Sequence, residues 1–453
     1  MKTSGKGKNL RRKEINSNRG KEPGAERNNL PQSRDKESGA EKNNALNINS
    51  IIMGERKYHI PLRNRLIPKV IIIPVLLFTL IILMGACNKK EEQDERRYFH
   101  DHTTFIMGAD LSYVNQILDK GGEYRDSGRV EDPYSIFSKY GTNTVRLRLW
   151  HNPVWTAELY GPGTEKIYNG FEDVALAASR AREEGMSICL DFHYSDNWAD
   201  PQKQVIPAAW QGLTADVLGD SLYNYTFKTL RKLDAMGLMP EYVQVGNEIN
   251  PGFLLPSGDR WIGNGESFLS LLNRATDAVR DASAGSEIKS RIILHIAQPD
   301  HVDNWFAGIE DRMPDFDILG ISYYYIWSEV RLDQLSWYIS SFSNRYGKDV
   351  MVVETAYPFT TANADTYPNI IDTSRLVNGY PATPGGQLDY LVAMTHEIAE
   401  GGGKGIIYWE PAWITSPLIT QWGSGSAWDC NTLFNFEGET LESMNFMTRN
   451  YEF

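Results

Sequence analysis

Two glutamates that each follow a short apolar run could act together as a pair of catalytic carboxyl groups. Glu248 follows the run 243–247, and Glu354 follows the run 351–353. Retaining hydrolysis of a glycosidic bond needs two carboxyl groups about 5–5.5 Å apart, one as the nucleophile and one as the acid and base. One such glutamate alone would suggest a solvated residue at the end of a strand, but two in equivalent positions favour catalysis.

The two roles make opposite demands on the carboxyl groups. The acid must hold its proton at rest, so burial or a neighbouring carboxylate has to raise its pKa. The nucleophile must stay ionised, and an arginine near the end of the predicted second strand, Arg146 or Arg148, could supply the cation that favours this state. Asn247, beside Glu248, could hydrogen-bond the 2-hydroxyl group of a sugar, a contact that strengthens at the transition state.

The elements that must position these residues form a regular alternation. Eight apolar or alternating runs are predicted as strands: Phe105–Asp110, Asn143–Trp150, Met186–His193, Tyr242–Asn247, Arg291–Ile296, Asp317–Tyr323, Val350–Glu354 and Gly405–Trp409. Segments with helical apolar spacing lie between them, and they include Phe171–Glu184, Leu222–Met236, Glu266–Ala284 and Leu388–Glu400. Strands that alternate with helices are parallel, and eight of them predict an α/β fold, a (β/α)8 TIM barrel that forms one catalytic domain over 105–453. The alternative is a doubly wound open sheet, although no glycine-rich phosphate turn follows the first strand.

Polar and aromatic residues gather where the predicted strands end. In a (β/α)8 barrel, the active site lies at the carboxyl ends of the strands. The residues at these ends are Asp110, Arg146, Arg148, His193, Asn247, Glu248, Glu354, Trp409 and Glu410. This concentration predicts one site that contains both glutamates.

Six longer motifs resemble those of glycoside hydrolase family 53, the endo-β-1,4-galactanases of clan A, and the resemblance extends from Phe105 to Met447. The motifs are Gly108–Asp110 with Ser112, Gly141–Trp150, Leu190–Pro201, Val245–Ile249, Val353–Pro358 and Tyr408–Trp413. The resemblance implies that Glu248 is the acid/base, that Glu354 is the nucleophile and that Arg146 supports Glu354. It also implies a substrate groove formed with Asn247 by Trp150, His193, Ser195, Asp196, Trp198, Asp200, His295, Tyr323, Trp409 and Trp422. Trp150, Tyr323 and Trp413 could instead pack the rim of the barrel.

The chain departs from the family in two loops. Residues 295–300 read HIAQPD, where relatives usually carry LDNG after the histidine, and the loop from Thr360 to Pro384 is long. Bacterial relatives can hold a structural calcium between the loops after strands seven and eight, and calcium takes six to eight oxygen ligands. The residues that could hold it here are Asn363, Asp365, Tyr367, Asn369, Ser426 and Asp429. A polar surface loop is the alternative, and no cofactor is expected for catalysis.

The first part of the chain resembles an export signal. Residues 1–52 are polar and predicted to be disordered, unless translation begins at Met53. Segment 53–86 has a basic flank, an apolar run and small residues before Cys87, which resembles a lipoprotein signal with Cys87 as the lipidated residue. A single transmembrane anchor is the alternative, but the apolar run 70–84 is shorter than the ~20 residues that span a bilayer.

Residues 87–104 are predicted to be a tether. Its acidic stretch 88–95 resembles the surface-export signal of Bacteroidetes lipoproteins, and an ordinary solvated linker is an equal alternative. These features predict a protein that is anchored by lipid to the outer membrane, at the cell surface, with no other contact with the membrane.

Composition and charge narrow the function classes. The net charge of −12 argues against nucleic acid, which requires a basic face. We expect a monomer that acts on β-1,4-galactan, the side chain of pectic type I arabinogalactan. The alternatives are another clan A β-glycanase, such as a mannanase or cellulase, and a surface glycan-binding lipoprotein that has lost catalysis. The intact glutamates and the motif 190–201 disfavour both alternatives.

Overall fold

The computed structural model of the protein describes residues 105–163, 166–371 and 374–451. The predicted signal, the tether and Cys87 lie outside these ranges, so the predictions made for them stay predictions. Within the described ranges, no helix has the length and apolar character needed to cross a membrane.

Eight parallel strands close into a barrel, as the sequence predicts. They are β1 (Ile106–Asp110), β2 (Thr144–Leu149), β3 (Ser187–Phe192), β4 (Tyr242–Val245), β5 (Arg291–Ala297), β6 (Ile318–Ser322), β7 (Asp349–Glu354) and β8 (Gly405–Tyr408). Each strand pairs with the next along the chain, and β1 closes the barrel by pairing with β8. The doubly wound open sheet is therefore excluded. Several predicted strands were one or two residues too long, so that Asn247, Tyr323 and Trp409 lie in the loops that follow their strands.

Helices surround the barrel, and of the four predicted segments Phe171–Glu184 and Glu266–Ala284 match to within one residue. The helices are α1 (Val114–Asp119), α2 (Pro133–Lys139), α3 (Trp155–Glu158), α4 (Phe171–Glu183), α5 (Ala215–Ala235), α6 (Glu266–Ala284), α7 (Pro299–Phe306), α8 (Leu335–Tyr346) and α9 (Pro384–Glu400). Helix α5 begins seven residues before the predicted Leu222, because its first two turns are mostly exposed and carry little apolar signal.

Helix α9 begins four residues before the predicted Leu388. Two glycines in its first turn hide the helical pattern, but Pro384 occupies the first helical position and the Thr383 side chain accepts a hydrogen bond from Gly386 N. A Cβ at Gly386 would lie 2.0 Å from the Pro381 carbonyl oxygen, so a side chain does not fit there. The glycine that weakens the sequence signal is therefore required by close packing.

The lumen of the barrel has an apolar floor and a polar upper layer. Cys189 and Asp191 are two residues apart on β3, as are Ile293 and His295 on β5, so each pair points to the same face of its strand. The floor is a buried cluster of Ile106, Cys189, Ile293, Ile318, Met351, Val353 and Ile407. The upper layer, at the carboxyl ends of the strands, contains Asp110, Arg146, Asp191, Gln244, His295, Ser322 and Glu354. Buried charges are costly unless they are paired, so the charged side chains of this layer must form ion pairs and hydrogen bonds with one another.

Candidate active site

Arg146 lies at the centre of the polar layer and is 1% exposed. Its guanidinium nitrogens lie 2.8 Å from carboxylate oxygens of Asp110, Asp191 and Glu354. It also donates to the side-chain oxygens of Gln244 at 3.2 Å and Asn247 at 2.9 Å. One buried cation therefore orients the predicted nucleophile and two further carboxylates.

Glu354 ends β7 with its carboxylate held by two donors. Oε1 receives the ion pair from Arg146, and Oε2 accepts a hydrogen bond from Tyr324 Oη at 3.1 Å. Burial raises the pKa of Glu354, whereas the positive charge of Arg146 and the hydrogen bond from Tyr324 lower it. These two contacts favour the ionised form that a nucleophile needs.

Glu248 follows β4 after a sharp turn. Gly246 has a φ of 79° and Glu248 itself a φ of 46°, in the left-handed region that a residue with a side chain seldom adopts. The turn carries the Glu248 carboxyl to the mouth of the barrel, where the residue stays partly exposed and Oε1 accepts a hydrogen bond from Ser322 Oγ at 2.6 Å. Burial of the carboxyl raises the pKa of Glu248 to about 8, and the negative charge of Glu354 contributes to the rise.

The two glutamates thus differ in the way that the two roles require. Burial raises the pKa of both, to about 8 for Glu248 and to about 7 for Glu354. The next influence differs in sign, because Glu248 faces the negative charge of Glu354 whereas Glu354 faces the positive charge of Arg146. When the pair holds one proton, Glu248 is therefore the favoured site for it.

The loop after β3 forms one wall of the site. His193 is buried, with Nε2 2.9 Å from Asp191 Oδ2 and Nδ1 accepting from Ala199 N. Asp196 holds the neighbouring loops, through contacts with His151 Nδ1 at 3.2 Å and Ala208 N at 2.7 Å. The same loop carries Ser195, which is buried, together with Trp198 and Asp200, which keep partial exposure.

Asn247 and His295 form hydrogen bonds with other residues of the protein. Besides its contact with Arg146, Asn247 donates through Nδ2 to Ala199 O at 2.8 Å. His295 is 0% exposed, and both of its ring nitrogens have polar neighbours in the protein. Sugar contacts by these two residues stay predictions, but their geometry places them behind the glutamates.

The aromatic residues divide into exposed and buried groups. Trp422 is 53% exposed with Lys203 Nζ 5.5 Å from its ring, and Trp198 is partly exposed. Trp409 is 8% exposed, and its ring centroid lies 5.9 Å from that of Trp198. By contrast, Trp150 is 0% exposed and Tyr323 is 1% exposed, with its hydroxyl donating to a backbone carbonyl. The packing alternative therefore fits Trp150 and Tyr323, because neither presents a face to a substrate.

Two residues close to the glutamates are not among the predicted ones. Ser322 contacts Glu248, and Tyr324 contacts Glu354. Ile318, Ser322 and Tyr324 lie on the same face by simple alternation, so strand position and alternation would have found both residues. The irregularity lies on β7, where Ile321 pairs with Val352 but Ser322 pairs with Glu354. This extra residue lets Val353 and Glu354 both face the lumen, and the bulge has no clear sequence signal.

The six predicted calcium ligands lie on two loops that meet beside the site. Asp365 Oδ2 accepts from Ser426 N at 2.8 Å, and the Thr415 hydroxyl lies 2.8 Å from Asp365 Oδ2 and 3.1 Å from Asp429 Oδ2. Asn369 Nδ2 donates to Asp429 Oδ1 at 2.8 Å, whereas Asn369 Oδ1 is buried and has no hydrogen-bond partner among the described residues. This set of carboxylate and amide oxygens, with one oxygen unsatisfied, fits the chemistry of a calcium ligand set.

Sequence and structure comparisons identify the family of the chain. A profile of glycosyl hydrolase family 53 matches residues 106–447. The chain is 41% identical over 358 residues to an arabinogalactan endo-beta-1,4-galactanase of Cellvibrio japonicus, which covers 78% of this chain and 93% of that protein. It is 31% identical to an endo-beta-1,4-galactanase of Bacillus subtilis, over 75% of this chain and 84% of that one. The solved GH53 catalytic domain of Ignisphaera aggregans superposes with a TM-score of 0.69 at 32% identity, covering 76% of this chain and 95% of that domain. The chain therefore belongs to glycosyl hydrolase family 53.

Proposed function

We propose that the enzyme hydrolyses β-1,4-galactosidic bonds within galactan and the galactan chains of type I arabinogalactan, with retention of configuration. The observation that carries this proposal is the pair of glutamates at one barrel mouth, one bound by Arg146 and Tyr324 and the other by the neutral Ser322 hydroxyl group. The substrate follows from the relatives, which are named as endo-β-1,4-galactanases of galactan or arabinogalactan.

In the first half of the reaction, Glu354 attacks the anomeric carbon while Glu248 gives its proton to the departing glycosidic oxygen. This forms a covalent galactosyl-enzyme and releases the rest of the chain. In the second half, Glu248 takes a proton from water, the water attacks the anomeric carbon, and Glu354 leaves as a carboxylate. Arg146 and Tyr324 stabilise that carboxylate, and the only reactants are the two carboxyl groups, the sugar and water.

The exposed aromatic residues support an extended binding groove. Trp198 is partly exposed on the loop after β3, and Trp422 is exposed on the loop after β8. Aromatic faces pack well against the apolar faces of sugar rings. Binding along a polymer at several sugar units favours cleavage inside the chain rather than at its end.

The test is a time course of products from linear β-1,4-galactan, with Glu354→Gln as the matched inactive variant. We expect an early fall in viscosity and a ladder of short oligosaccharides, neither of which Glu354→Gln produces. Cleavage of mannan or cellulose with galactan left intact would overturn the substrate assignment. Unchanged turnover by Glu354→Gln would overturn the mechanism.

We also propose that calcium binds where the loops after β7 and β8 meet, through Asp365, Asp429 and the neighbouring oxygens of Asn363, Tyr367, Asn369 and Ser426. Removing calcium with a chelator should lower the Tm, and adding it back should restore the Tm. Asp365→Asn should lower the response to calcium. If neither treatment changes the Tm, hydrogen bonds alone hold the two loops together.

Finally, we propose that Cys87 carries a lipid that anchors a monomeric enzyme to the outer membrane, facing outward. The basic and apolar segment before Cys87 supports this proposal. Cells that produce the full chain should show the protein in the detergent phase and open to external protease, and Cys87→Ser should abolish both. A soluble wild-type protein would contradict the anchor, and a dimer in gel filtration would contradict the monomer.

A further inference from the structure

Glu248 has a buried chain of hydrogen-bond partners. Ser322 Oγ donates to Glu248 Oε1 at 2.6 Å, and His295 Nε2 lies 2.8 Å from the same Ser322 oxygen. Ser322 and His295 are both 0% exposed. Both side chains lie behind Glu248, so Ser322 and His295 can act on the reaction through the Glu248 carboxyl group.

The ring of His295 is fixed by three further groups. Nδ1 lies 3.3 Å from Glu248 N, 3.1 Å from Gln244 Nε2 and 2.9 Å from Asn247 Oδ1. Gln244 and Asn247 also bind Arg146, so the chain that begins at Glu248 ends in the layer that holds Glu354. Burial lowers the pKa of His295 well below its usual range, and the ring is therefore neutral with one proton to place.

The position of that single proton decides what Ser322 can do. With the proton on Nε2, His295 donates to Ser322 Oγ and Ser322 donates to Glu248 Oε1. Nδ1 then accepts from Glu248 N–H and Gln244, two donors that outweigh the one acceptor it faces, Asn247 Oδ1 at 2.9 Å. With the proton on Nδ1, His295 donates to Asn247 Oδ1, and its Nε2 takes the Ser322 proton instead. Only the first arrangement gives Glu248 Oε1 a hydrogen-bond donor.

We propose that Ser322, held by the Nε2–H tautomer of His295, is a positioning residue that occupies Glu248 Oε1 and so directs the catalytic proton to Oε2. Because Oε1 accepts a hydrogen bond in either protonation state, the proton sits on the oxygen that is free to face the glycosidic bond. The same hydrogen bond stabilises the carboxylate that must act as a base in the second half of the reaction. The inference rests on the proposed role of Glu248 as the acid/base.

The experiment compares Ser322→Ala with Ser322→Thr, which keeps a hydroxyl group, and with Ser340→Ala, an exposed serine on α8, as the control. A dinitrophenyl leaving group departs without protonation, so turnover of such a substrate does not depend on Glu248 as an acid. It reports the second half of the reaction, in which Glu248 acts as the base. Hydrogen bonds to charged groups are strong enough that Ser322→Ala should slow this turnover by about 10-fold or more. It should also move the alkaline limb of the pH profile of kcat/KM on galactan to higher pH, since Ser322 favours the anion.

Ser322→Thr should keep the turnover of the dinitrophenyl substrate and the alkaline limb close to those of the wild type. His295→Gln keeps an N–H donor, so it should lose less of this turnover than Ser322→Ala does. Nitrogen NMR of the wild-type enzyme should show His295 protonated on Nε2. An unmoved alkaline limb together with equal losses on both substrates would overturn the inference, as would a proton on Nδ1. The role of Glu248 is tested separately: if azide fails to restore turnover of the dinitrophenyl substrate by Glu248→Ala, the proposed function itself is wrong.

Discussion

Arg146 and Arg148 lie two residues apart on β2 and are each 1% exposed, but they have opposite surroundings. Arg146 is bound by three carboxylates and two amide oxygens. Arg148 has one ion pair, at 3.1 Å from Glu410, and its guanidinium carbon lies 4.0 Å from the ring centroid of Trp198. Its Nε and Nη2 find no acceptor among the described residues.

The difference shows that the neighbours of a buried arginine decide its function. Arg146 orders the charges that take part in the reaction. Arg148 lies between aromatic rings, with Tyr113 at 4.7 Å and Trp150 at 4.9 Å from its guanidinium carbon in addition to Trp198. We interpret it as the support beneath Trp198, so the two arginines separate chemistry from binding.

The largest effect is expected from Arg146→Lys. Lysine keeps the charge but cannot present five donors in a plane, so it cannot hold Asp110, Asp191 and Glu354 together. Loss of such electrostatic organisation should lower kcat by about 10²–10³-fold, with a smaller change in KM. Steady-state kinetics on galactan measure this, with circular dichroism to show that the fold is kept. A variant with nearly normal kcat would remove Arg146 from the mechanism.

Arg148→Met should have a smaller effect of a different kind. A desolvated cation–π contact is worth about 2 kcal/mol, so loss of the support under Trp198 should raise KM for galacto-oligosaccharides by roughly 10- to 30-fold. The value of kcat should change little. A fall in kcat as large as that of Arg146→Lys would contradict the separation between the two arginines.

The smallest effect is expected from Glu410→Gln, which changes the ion-pair partner of Arg148, on the pH profile of kcat/KM. In the wild type, kcat/KM should fall as pH rises through the raised pKa of Glu248, about 8, because the acid loses its proton. It should also fall at low pH as Glu354 becomes protonated. Burial raises the pKa of Glu410 to about 8 as well, but Glu410 faces Arg148 rather than the substrate. Glu410→Gln should therefore leave both limbs in place, and a lost alkaline limb would show that Glu410 is the titrating acid.

The sequence was sufficient for the parts of the molecule that follow simple periodicity. Apolar runs located all eight strands, and the ends of β4 and β7 located Glu248 and Glu354. Where local backbone geometry departs from regular alternation, the sequence was insufficient. The extra residue on β7 opposite Ser322 turns Glu354 toward the lumen against simple alternation, and the burial of Trp150 depends on rings that are distant in sequence.

The arginine pair illustrates the same limit. Both residues were predicted to reach the site, and either could have supplied the cation for the nucleophile. Their separation depends on Asp191, Trp198 and Glu410, which come from other strands and loops. The family resemblance singles out Arg146 for the nucleophile, and the assembled barrel shows the physical reason: Arg146 meets carboxylates, whereas Arg148 meets aromatic rings.

The central claim is that Glu354 forms a covalent bond to the sugar while Glu248 transfers the proton. The most direct measurement is mass spectrometry of peptides after reaction with an activated 2-deoxy-2-fluoro-galactobioside, which slows release of the intermediate. We predict one added glycosyl group per chain, on the peptide that contains Glu354, and its loss when a galactan acceptor is added. A label on Glu248 or Glu410, or no label with products of inverted configuration, would contradict the account.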